Sequence, residues 1–298
     1  ADYMAERSFF PMYGNVVRFS IDSLGKLQVS PSYFQPFVTF IPDEKLTMSA
    51  MRDEQMNLFF VNGNKKGSAA IEVPYLTEIV QRFPDGRQSR QPGSLFSEVV
   101  GKPVHTAITA SQYRKTGWLE DNLYGIIRSQ PLDSMLKPMM HRSDNFFAEQ
   151  VLLMISNERF GFMSDRKIID TLLATDLAAL PQKPRWADGS GLSRYNLFTP
   201  QDFVFILGRM KEEFGMDRLK NIFATGGEGT ITNYYKSDAG FIYGKTGTLS
   251  GVVAFSGFLY TKKGKLLIFS TLVNNHNGSA TDVRRRVEKF LQTLRALY

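Results

Sequence analysis

The stretch 241-FIYGKTGTLSGVVAFSGFLYTK-262 decides how the second half of the chain is interpreted. It places a basic residue, a hydroxyl and a glycine (Lys245, Thr246 and Gly247) ahead of small residues and an alternating apolar segment. Period-two alternation predicts strands over 252–261 and 266–275, which the intervening glycine-containing turn joins as an antiparallel hairpin. The pattern indicates either a turn with chance neighbours or a strand edge that receives a carboxylate.

Helical periodicity precedes this sheet. The segment 131-PLDSMLKPMMHRSDNFFAEQVLLMISNERFG-161 predicts two helices that are interrupted at residues 142–145. Further helices are predicted over 165–180 and 200–220, on either side of the glycine-rich loop 188-DGSGLSRYN-196. The chain closes with a predicted helix whose apolar face consists of Val283, Val287, Phe290, Leu294 and Leu297. Helices, then strands, then a terminal helix predict an α+β fold with an antiparallel sheet covered by helices.

The first part of the chain has a different pattern of apolar and polar residues. Residues 15–72 alternate short apolar and polar runs, which predicts β-hairpins, and Asn62-Gly63 is the strongest turn signal. Helices are predicted in 75-YLTEIVQRF-83 and 94-SLFSEVV-100. We therefore divide the chain into a β-rich region over residues 1–118, which we expect to be incomplete, and a second domain over residues 119–298, which we expect to lack its N-terminal segment.

Composition excludes several classes of protein. No apolar run approaches the roughly 18 residues of a membrane span. The net charge of +7 is scattered, and 284-RRR-286 is predicted as the solvated face of the last helix, so nucleic acid is not expected as a partner. The chain has no cysteine and only three histidines, so it has few of the side chains that form a metal centre or the active site of a histidine-dependent hydrolase. We expect neither a metal nor an organic cofactor.

The tripeptide Lys-Thr-Gly is weak evidence by itself. A second copy occupies residues 115–117, where bulky Trp118 follows instead of a small-residue strand. Order and context distinguish the copy at 245–247, because Ser143-Asp144-Asn145 interrupts the helical region ahead of it.

Five segments then occur in one order over residues 120–298: SDNFFAEQ, DGSGLSRYNLFTP, GEGT, GKTGTLSGVVAFSGF and LLIFSTLVNN. In these motifs the chain resembles the serine penicillin-binding proteins, specifically the low-molecular-mass class C D-alanyl-D-alanine carboxypeptidases and endopeptidases. The resemblance implies a β-lactamase/transpeptidase-like domain, with residues 1–118 as part of an inserted accessory region. It also implies an acyl-enzyme peptidase of the bacterial envelope, periplasmic or secreted, that acts on peptidoglycan stem peptides ending in D-Ala-D-Ala and binds β-lactams.

The resemblance gives the strand residues substrate-binding roles. Lys245 and the Thr246 hydroxyl are expected to bind the terminal carboxylate of the peptide. Gly247 keeps the strand edge open, so that the substrate backbone can pair there as an added strand. The Thr248 backbone N–H is expected in the oxyanion hole.

The residues of the helix break receive roles by the same resemblance. Asn145 is expected to hold the penultimate amide of the substrate, and Ser143 to relay a proton to the leaving amine. Asp144 is expected to brace the loop. The loop glycines at 188–191 and the segment 226-GGEGT-230 are interpreted as turns, the latter near the rim of the site, because 226–230 lacks the Lys-Ser/Thr of a phosphate loop.

The nucleophile of this family comes from Ser-x-x-Lys at the start of a buried helix. The chain offers three such segments, beginning at Ser23, Ser134 and Ser164. They are predicted to lie in a hairpin turn, in the helix leading into Ser143, and in a polar stretch after it. We therefore expect the nucleophile upstream of Ala1.

Two alternatives stay open at this point. The chain could natively lack a nucleophile and only bind D-alanine-ended peptides or peptidoglycan. A serine β-lactamase would need a group that activates the deacylating water, which the sequence does not locate. Carboxypeptidase and endopeptidase activity are not separable from the sequence, because both cleave after a D-alanine.

Overall fold

The structure is a computed structural model that describes residues 13–76, 80–82, 88–90 and 130–298, together with Ala5; for 80–82 and 88–90 it describes the backbone. The chain divides into two compact units, Ala1–Arg128 and Ser129–Tyr298. Each unit is described by itself below.

The first unit contains two small three-stranded sheets. One has the order β2-β1-β6 with antiparallel pairs, and its strands are β1 (Val16–Ile21), β2 (Leu27–Ser30) and β6 (Ile71–Pro74). The other has the order β3-β5-β4, and its strands are β3 (Val38–Ile41), β4 (Ser49–Arg52) and β5 (Phe59–Asn62). The β-rich interpretation of this region is therefore confirmed for the described residues.

An aromatic core joins the strands of the first unit. The ring of Phe34 lies 5.5 Å from that of Phe59 and 4.9 Å from that of Tyr75, between ring centroids. The alternation along β5 explains this packing, because Phe59 and Val61 are buried whereas Phe60 is exposed.

Two local predictions for this unit are wrong. Asn62-Gly63 is a turn but closes no hairpin, because β5 pairs in parallel with β3 and antiparallel with β4, while the next strand, β6, pairs with β1. Gly63 has a φ of +88°, and a Cβ there would lie 2.7 Å from the Thr47 carbonyl oxygen. The helix predicted over 75–83 is replaced at its end by strand β7 (Val80–Arg82), which pairs with β8 (Gln88–Arg90). Segment 94–100 and the second Lys-Thr-Gly at 115–117 lie outside the described residues.

The second unit begins with helices, as the periodicity predicts. The helices are α1 (Asp133–Arg142), α2 (Asn145–Phe160), α3 (Asp165–Ala174), α4 (Pro200–Ile222) and the terminal α5 (Ala280–Leu297). Helix α3 ends six residues before the predicted Leu180, because the chain turns back at Thr175, whose N–H is bonded to Thr171. Within the described part of the chain, no helix is both long enough and apolar enough to cross a membrane.

A four-stranded antiparallel sheet separates two helical layers in this unit. Its order is β12-β11-β10-β9, and its strands are β9 (Ala224–Thr225), β10 (Ile242–Leu249), β11 (Val252–Tyr260) and β12 (Leu266–Asn274). Phe258 of β11 packs with Leu207 of α4 on one face, and Ile242 of β10 packs with Leu291 of α5 on the other. The predicted α+β architecture, an antiparallel sheet covered by helices, is confirmed.

The predicted apolar faces of two helices need correction. Leu291 is the buried residue of α5, at 1% exposure, whereas the predicted Phe290 and Leu297 are 54% and 61% exposed. On α2, the helical spacing of Phe146, Phe147 and Met154 predicts that all three lie in the core. Phe146 is buried, whereas Met154 is 49% exposed. Periodicity correctly predicts that these segments are helical. Which residues lie at the centre of the buried face depends on the element that packs against the helix.

Close backbone packing in the middle of the sheet requires glycine. Gly244 of β10 lies opposite Gly257 of β11. A Cβ built on Gly257 would lie 2.0 Å from the Tyr243 carbonyl oxygen and 2.6 Å from the Gly244 Cα. The two strands can therefore approach at this register only because neither residue has a side chain.

We expect Gly257→Ala to lower the free energy of unfolding by about 2 kcal/mol or more, because the new methyl group forces β10 away from β11. Urea unfolding of the chain measures this effect. The matched control is Gly278→Ala, since a Cβ at Gly278 meets no atom within 4 Å and its φ is not positive. Equal stability of the two variants would contradict this account of the strand pair.

Candidate active site

The helix break at 143–145 consists of the C-terminal cap of α1 followed directly by the N-terminal cap of α2. Helix α1 ends with Ser143 in the left-handed region, at φ 57° and ψ 51°. Asp144 is the N-cap of α2, and its Oδ1 accepts a hydrogen bond from the Phe147 N–H at 3.0 Å. Asp144 therefore braces the loop as predicted. Ser143, a non-glycine residue with positive φ, is held in an uncommon conformation that presents its exposed hydroxyl next to the sheet.

Strand β10 has an open edge beside this break. Strand β9 pairs with β10 only at Tyr243 and Gly244. Among the described residues, Lys245–Leu249 has a partner strand on the β11 side alone. The unpaired backbone groups on the other side can therefore accept an extended peptide as an additional strand.

The cation of β10 contacts the serine of the helix break. Lys245 Nζ donates to Ser143 Oγ at 2.7 Å and to the Thr246 carbonyl oxygen at 2.6 Å. The contact joins residues 102 positions apart in sequence. The tertiary structure thus brings together the two motifs that the sequence analysis selected.

Burial lowers the pKa of Lys245 from its ordinary value of 10.5 to about 8. Within the described residues Lys245 has no carboxylate partner to offset the cost of desolvation. A lysine that titrates near 8 exchanges its proton readily close to neutral pH. Because the ammonium donates to Ser143 Oγ, the hydroxyl hydrogen of Ser143 is free to point elsewhere, which is the arrangement of a proton relay.

Hydroxyls on the opposite face of β10 are also held in place. Thr246 Oγ1 donates to Thr230 Oγ1 at 2.7 Å. Thr230 belongs to the 3-10 turn Gly229–Ile231 of the GGEGT segment, which therefore forms a turn at the rim as predicted. Gly229 has a φ of +50°, and a Cβ there would lie 2.7 Å from the His141 carbonyl oxygen, so only glycine fits between this turn and α1.

Arg284 of α5 also reaches this face. Its Nη2 donates to Thr248 Oγ1 at 2.6 Å. The prediction that Arg284 lies on a solvated helix face is wrong, because the residue is half-buried against β10.

The loop over 188–196 borders the far end of β10. Asp188 organises it by accepting the N–H groups of Gly191 at 2.6 Å and Ser193 at 2.7 Å. Buried Glu149 of α2 accepts the N–H groups of the two residues after Asp188, at 3.2 and 3.1 Å. The structural interpretation of Asp188 is confirmed, and Arg194 extends from this loop to donate to the Ser250 carbonyl oxygen at 3.0 Å.

For two further predicted site residues, the described part of the chain shows no hydrogen bond that fixes a role. Asn145 is the first residue of α2, next to Ser143. Gly247 is exposed on β10, and a Cβ there would meet the Ala254 Cβ at 3.5 Å, an ordinary contact distance. The packing of the chain therefore does not demand glycine at 247, and its lack of a side chain leaves the strand edge accessible.

Four further residues contribute contacts to this cleft that the sequence did not predict: Thr230, Glu149, Arg194 and Arg284. Each lies in a segment whose local pattern indicates a turn, a core helix or a solvated face. Their contacts join residues 16 to 56 positions apart, which no local pattern encodes.

The two Ser-x-x-Lys segments of the second unit lie away from this cleft, and the segment of the first unit is not at the start of a helix. Ser23 lies in the β1–β2 turn, where Gly25 has a φ of +77°. Ser134 is in the first turn of α1, about 13 Å along the helix axis from Ser143 at 1.5 Å per residue. Ser164 is the N-cap of α3 and accepts from the Lys167 N–H, and the whole of α2, about 24 Å long, separates it from the helix break.

A search of the described residues for metal sites finds no group of three or more His, Cys, Asp or Glu side chains that could hold an ion.

Comparisons with known sequences agree on one family. Residues 87–294 match the sequence profile of the D-Ala-D-Ala carboxypeptidase 3 (S13) family. A D-alanyl-D-alanine carboxypeptidase from Actinomadura sp. (strain R39) is 32% identical over 177 residues, which is 55% of this chain and 32% of that protein. The D-alanyl-D-alanine carboxypeptidase DacB of Haemophilus influenzae is 27% identical over 184 residues, 57% of this chain and 37% of that protein. The matched parts thus span about a third of these relatives' lengths.

Comparison with solved structures supports the fold. The crystal structure of penicillin-binding protein 4 (DacB) from Haemophilus influenzae matches with a TM-score of 0.59 at 15% identity, covering 92% of this chain and 66% of that one. The same protein complexed with a β-lactam matches with a TM-score of 0.53 at 17% identity, covering 92% and 68%. The predicted β-lactamase/transpeptidase-like fold class is confirmed.

We expect Lys245 to titrate with a midpoint near 8, because burial without an anionic partner destabilises its charged form. Nitrogen-15 NMR of lysine-labelled chain between pH 6 and 11 follows the Nζ signal. Lys245→Met removes the signal that titrates near 8 and so assigns it. A Lys245 midpoint above 10 would contradict the buried environment described here.

Proposed function

The chain belongs to the D-Ala-D-Ala carboxypeptidase 3 (S13) family, and from that premise we propose that it forms the substrate cleft of a serine-type D-alanyl-D-alanine carboxypeptidase or endopeptidase. The observation that carries the proposal is the 2.7 Å contact between Lys245 Nζ and Ser143 Oγ beside the open edge of β10. A hydroxyl that can relay a proton beside an unpaired strand edge suits cleavage of an extended peptide.

The substrate lies along β10 in this proposal. A peptide ending in D-alanine pairs with the edge over 245–249 as an added strand. Its terminal carboxylate is attracted by the Lys245 ammonium and accepts a hydrogen bond from the Thr246 hydroxyl, which turns its single hydrogen from Thr230 to the ligand. Asn145 holds the penultimate amide, and the exposed Gly247 lets the peptide approach the strand closely.

The proton path follows from the Lys245–Ser143 contact. A nucleophilic serine passes its proton to the lysine of its own Ser-x-x-Lys and attacks the scissile carbonyl carbon, and the resulting oxyanion is stabilised by the Thr248 N–H. The proton held by that lysine restores the Lys245 ammonium at the end of the cycle. When the C–N bond breaks, the leaving amine takes the hydroxyl proton of Ser143, which in turn takes a proton from the Lys245 ammonium. A lysine pKa of about 8 suits this transfer, because the ammonium gives up its proton more easily than an ordinary lysine. Water then hydrolyses the acyl-enzyme.

We place the nucleophile in a Ser-x-x-Lys outside residues 1–298. The positions of Ser134 and Ser164 support this, because each is separated from Ser143 by the length of a helix. Ser23 lies in a hairpin turn and not at the start of a buried helix. In the proposed reaction, this chain contributes the proton relay and the substrate-binding strand.

The organisation and setting of the protein are part of the proposal. Residues 119–298 form the transpeptidase-like domain and residues 1–118 belong to an inserted accessory region. The two compact units divide at Arg128 and Ser129, ten residues from the boundary placed by sequence. The substrates are peptidoglycan stem peptides ending in D-Ala-D-Ala, β-lactams bind as their mimics, and the protein acts in the bacterial cell envelope, periplasmic or secreted.

A second candidate function is a catalytically silent protein of the same fold that only binds D-alanine-ended peptides. The Ser-x-x-Lys segments favour it, because Ser134 and Ser164 lie away from the cleft and Ser23 lies in a turn and not at the start of a buried helix. Covalent labelling separates the two candidates.

The protein expressed from its full natural reading frame is expected to form a covalent adduct with labelled penicillin on a serine outside the 298 residues. Ser143→Ala should slow acylation roughly 100-fold or more, because the leaving nitrogen loses its proton donor. Stopped-flow acylation and mass spectrometry of the labelled peptide measure both quantities. The 298-residue chain alone should form no adduct.

The second Lys-Thr-Gly supplies a matched control for the strand lysine. Lys245→Ala should abolish rapid acylation, whereas Lys115→Ala should leave it unchanged. Absence of any adduct on the natural protein, with retained binding of D-alanine-ended peptides, would favour the silent protein. An adduct on Ser23, Ser134 or Ser164 would show that the nucleophile has been misplaced.

A further inference from the structure

Strand β10 presents two different surfaces to the cleft. Side chains alternate along a strand, so Thr246 and Thr248 share the face of Ile242, which packs against α5. Lys245 lies on the opposite face with Tyr243, which packs on the α4 side. The lysine and the two threonine hydroxyls therefore flank the strand edge from opposite sides.

Lys245 is already committed on its own face. Its ammonium donates to Ser143 and to the Thr246 carbonyl oxygen. The charge of Lys245 also depends on pH more than the charge of an arginine would, since burial lowers the lysine pKa to about 8. A carboxylate at the threonine hydroxyls is held more strongly when a second cation lies on their side of the strand.

Arg284 is the cation that the structure places there. Its Nη2 lies 2.6 Å from Thr248 Oγ1, and the centre of its guanidinium lies 6.0 Å from the centroid of the Tyr234 ring. In the described part of the chain Arg284 makes no ion pair, whereas its neighbour Arg285 pairs with Glu288 at 2.6 Å. Since guanidinium has five N–H donors and one is engaged by Thr248, several remain for an incoming anion.

The arrangement also orients the threonine. Because Arg284 donates to Thr248 Oγ1, this oxygen acts as an acceptor there, and its own hydrogen is available to a ligand. Thr246 and Thr248 are about 6.6 Å apart between Cα atoms at the usual strand rise, so a carboxylate between them can reach both hydroxyls. Thr246 then turns its single hydrogen from Thr230 to the carboxylate.

We propose that Arg284 is a specificity residue that binds the C-terminal carboxylate of the substrate together with the Thr246 and Thr248 hydroxyls. The proposal rests on the proposed function, because it assumes that the edge of β10 receives a peptide with a free terminal acid. It assigns to the last helix a part in distinguishing such peptides from those whose chain continues or ends in an amide.

Equilibrium binding to the 298-residue chain tests this inference without requiring catalysis. The probes are N-acetyl-D-alanyl-D-alanine and its C-terminal carboxamide, and NMR titration gives a dissociation constant for each. We expect the chain to prefer the acid. Arg284→Ala should weaken binding of the acid roughly 10-fold or more, the range for a hydrogen bond to a charged group, and leave binding of the amide within about two-fold.

Two further variants make the result specific. Arg284→Lys should retain part of the preference, because it keeps the charge but loses the planar pair of donors. Arg286→Ala removes the same charge from the same helix two residues on, which is about 200° around the helix axis, and should bind both probes as the unsubstituted chain does. Unchanged amide binding by Arg284→Ala also shows that the cleft has kept its structure.

Each remaining outcome is decisive. If Arg284→Ala keeps the preference for the acid within two-fold, the role of Arg284 is overturned while the proposed function stands. If Arg286→Ala loses the preference equally, the effect is one of general charge and the assignment to Arg284 is wrong. If the unsubstituted chain does not prefer the acid, the carboxylate site itself is overturned, and penicillin labelling of the natural protein then judges the proposed function separately.

Discussion

The cleft depends on a buried ammonium that has hydroxyl and carbonyl partners but no carboxylate. Lys245 donates to Ser143 Oγ at 2.7 Å and to the Thr246 carbonyl oxygen at 2.6 Å. Burial without a counter-ion is costly for a cation, which is why its pKa falls to about 8. That cost is what gives the lysine a proton that it can release near neutral pH. A salt bridge at this position would stabilise the charge and remove that property.

The surrounding fold holds the two halves of this contact in place. Ser143 is fixed by the end of α1 and the Asp144 cap of α2, so its hydroxyl is positioned by helix termini and not by a free loop. Lys245 lies on a strand that is held by β11 through the close Gly244–Gly257 pair. Sites supported by helices and strands keep their geometry better than sites on loops. The short β9 then leaves the edge beyond Gly244 open for a ligand.

In the proposed function, the division of charge between the two faces of β10 connects the proton relay with substrate recognition. Lys245 faces the helix break, where proton transfer is needed, and Arg284 faces the threonine hydroxyls, where a permanent charge is useful. One strand edge can therefore serve acid–base chemistry and anion binding together. Membership of the D-Ala-D-Ala carboxypeptidase 3 (S13) family is consistent with this arrangement. The structural similarity to penicillin-binding protein 4 supports the fold that holds these residues in place.

The sequence by itself determined the kind of fold and the centre of the site. Alternation over 252–275, helical periodicity on both sides of it, and the order of the Ser-Asp-Asn and Lys-Thr-Gly motifs were sufficient, because each is a local pattern with a local physical cause. Tertiary structure alone decided the pairing of β5 with β3, the burial of Leu291 in place of Phe290, and the presence of Arg284 beside Thr248. Each of these depends on which distant surface packs against a segment. A run of three arginines looks the same in sequence whether it faces water or a strand edge 36 residues away.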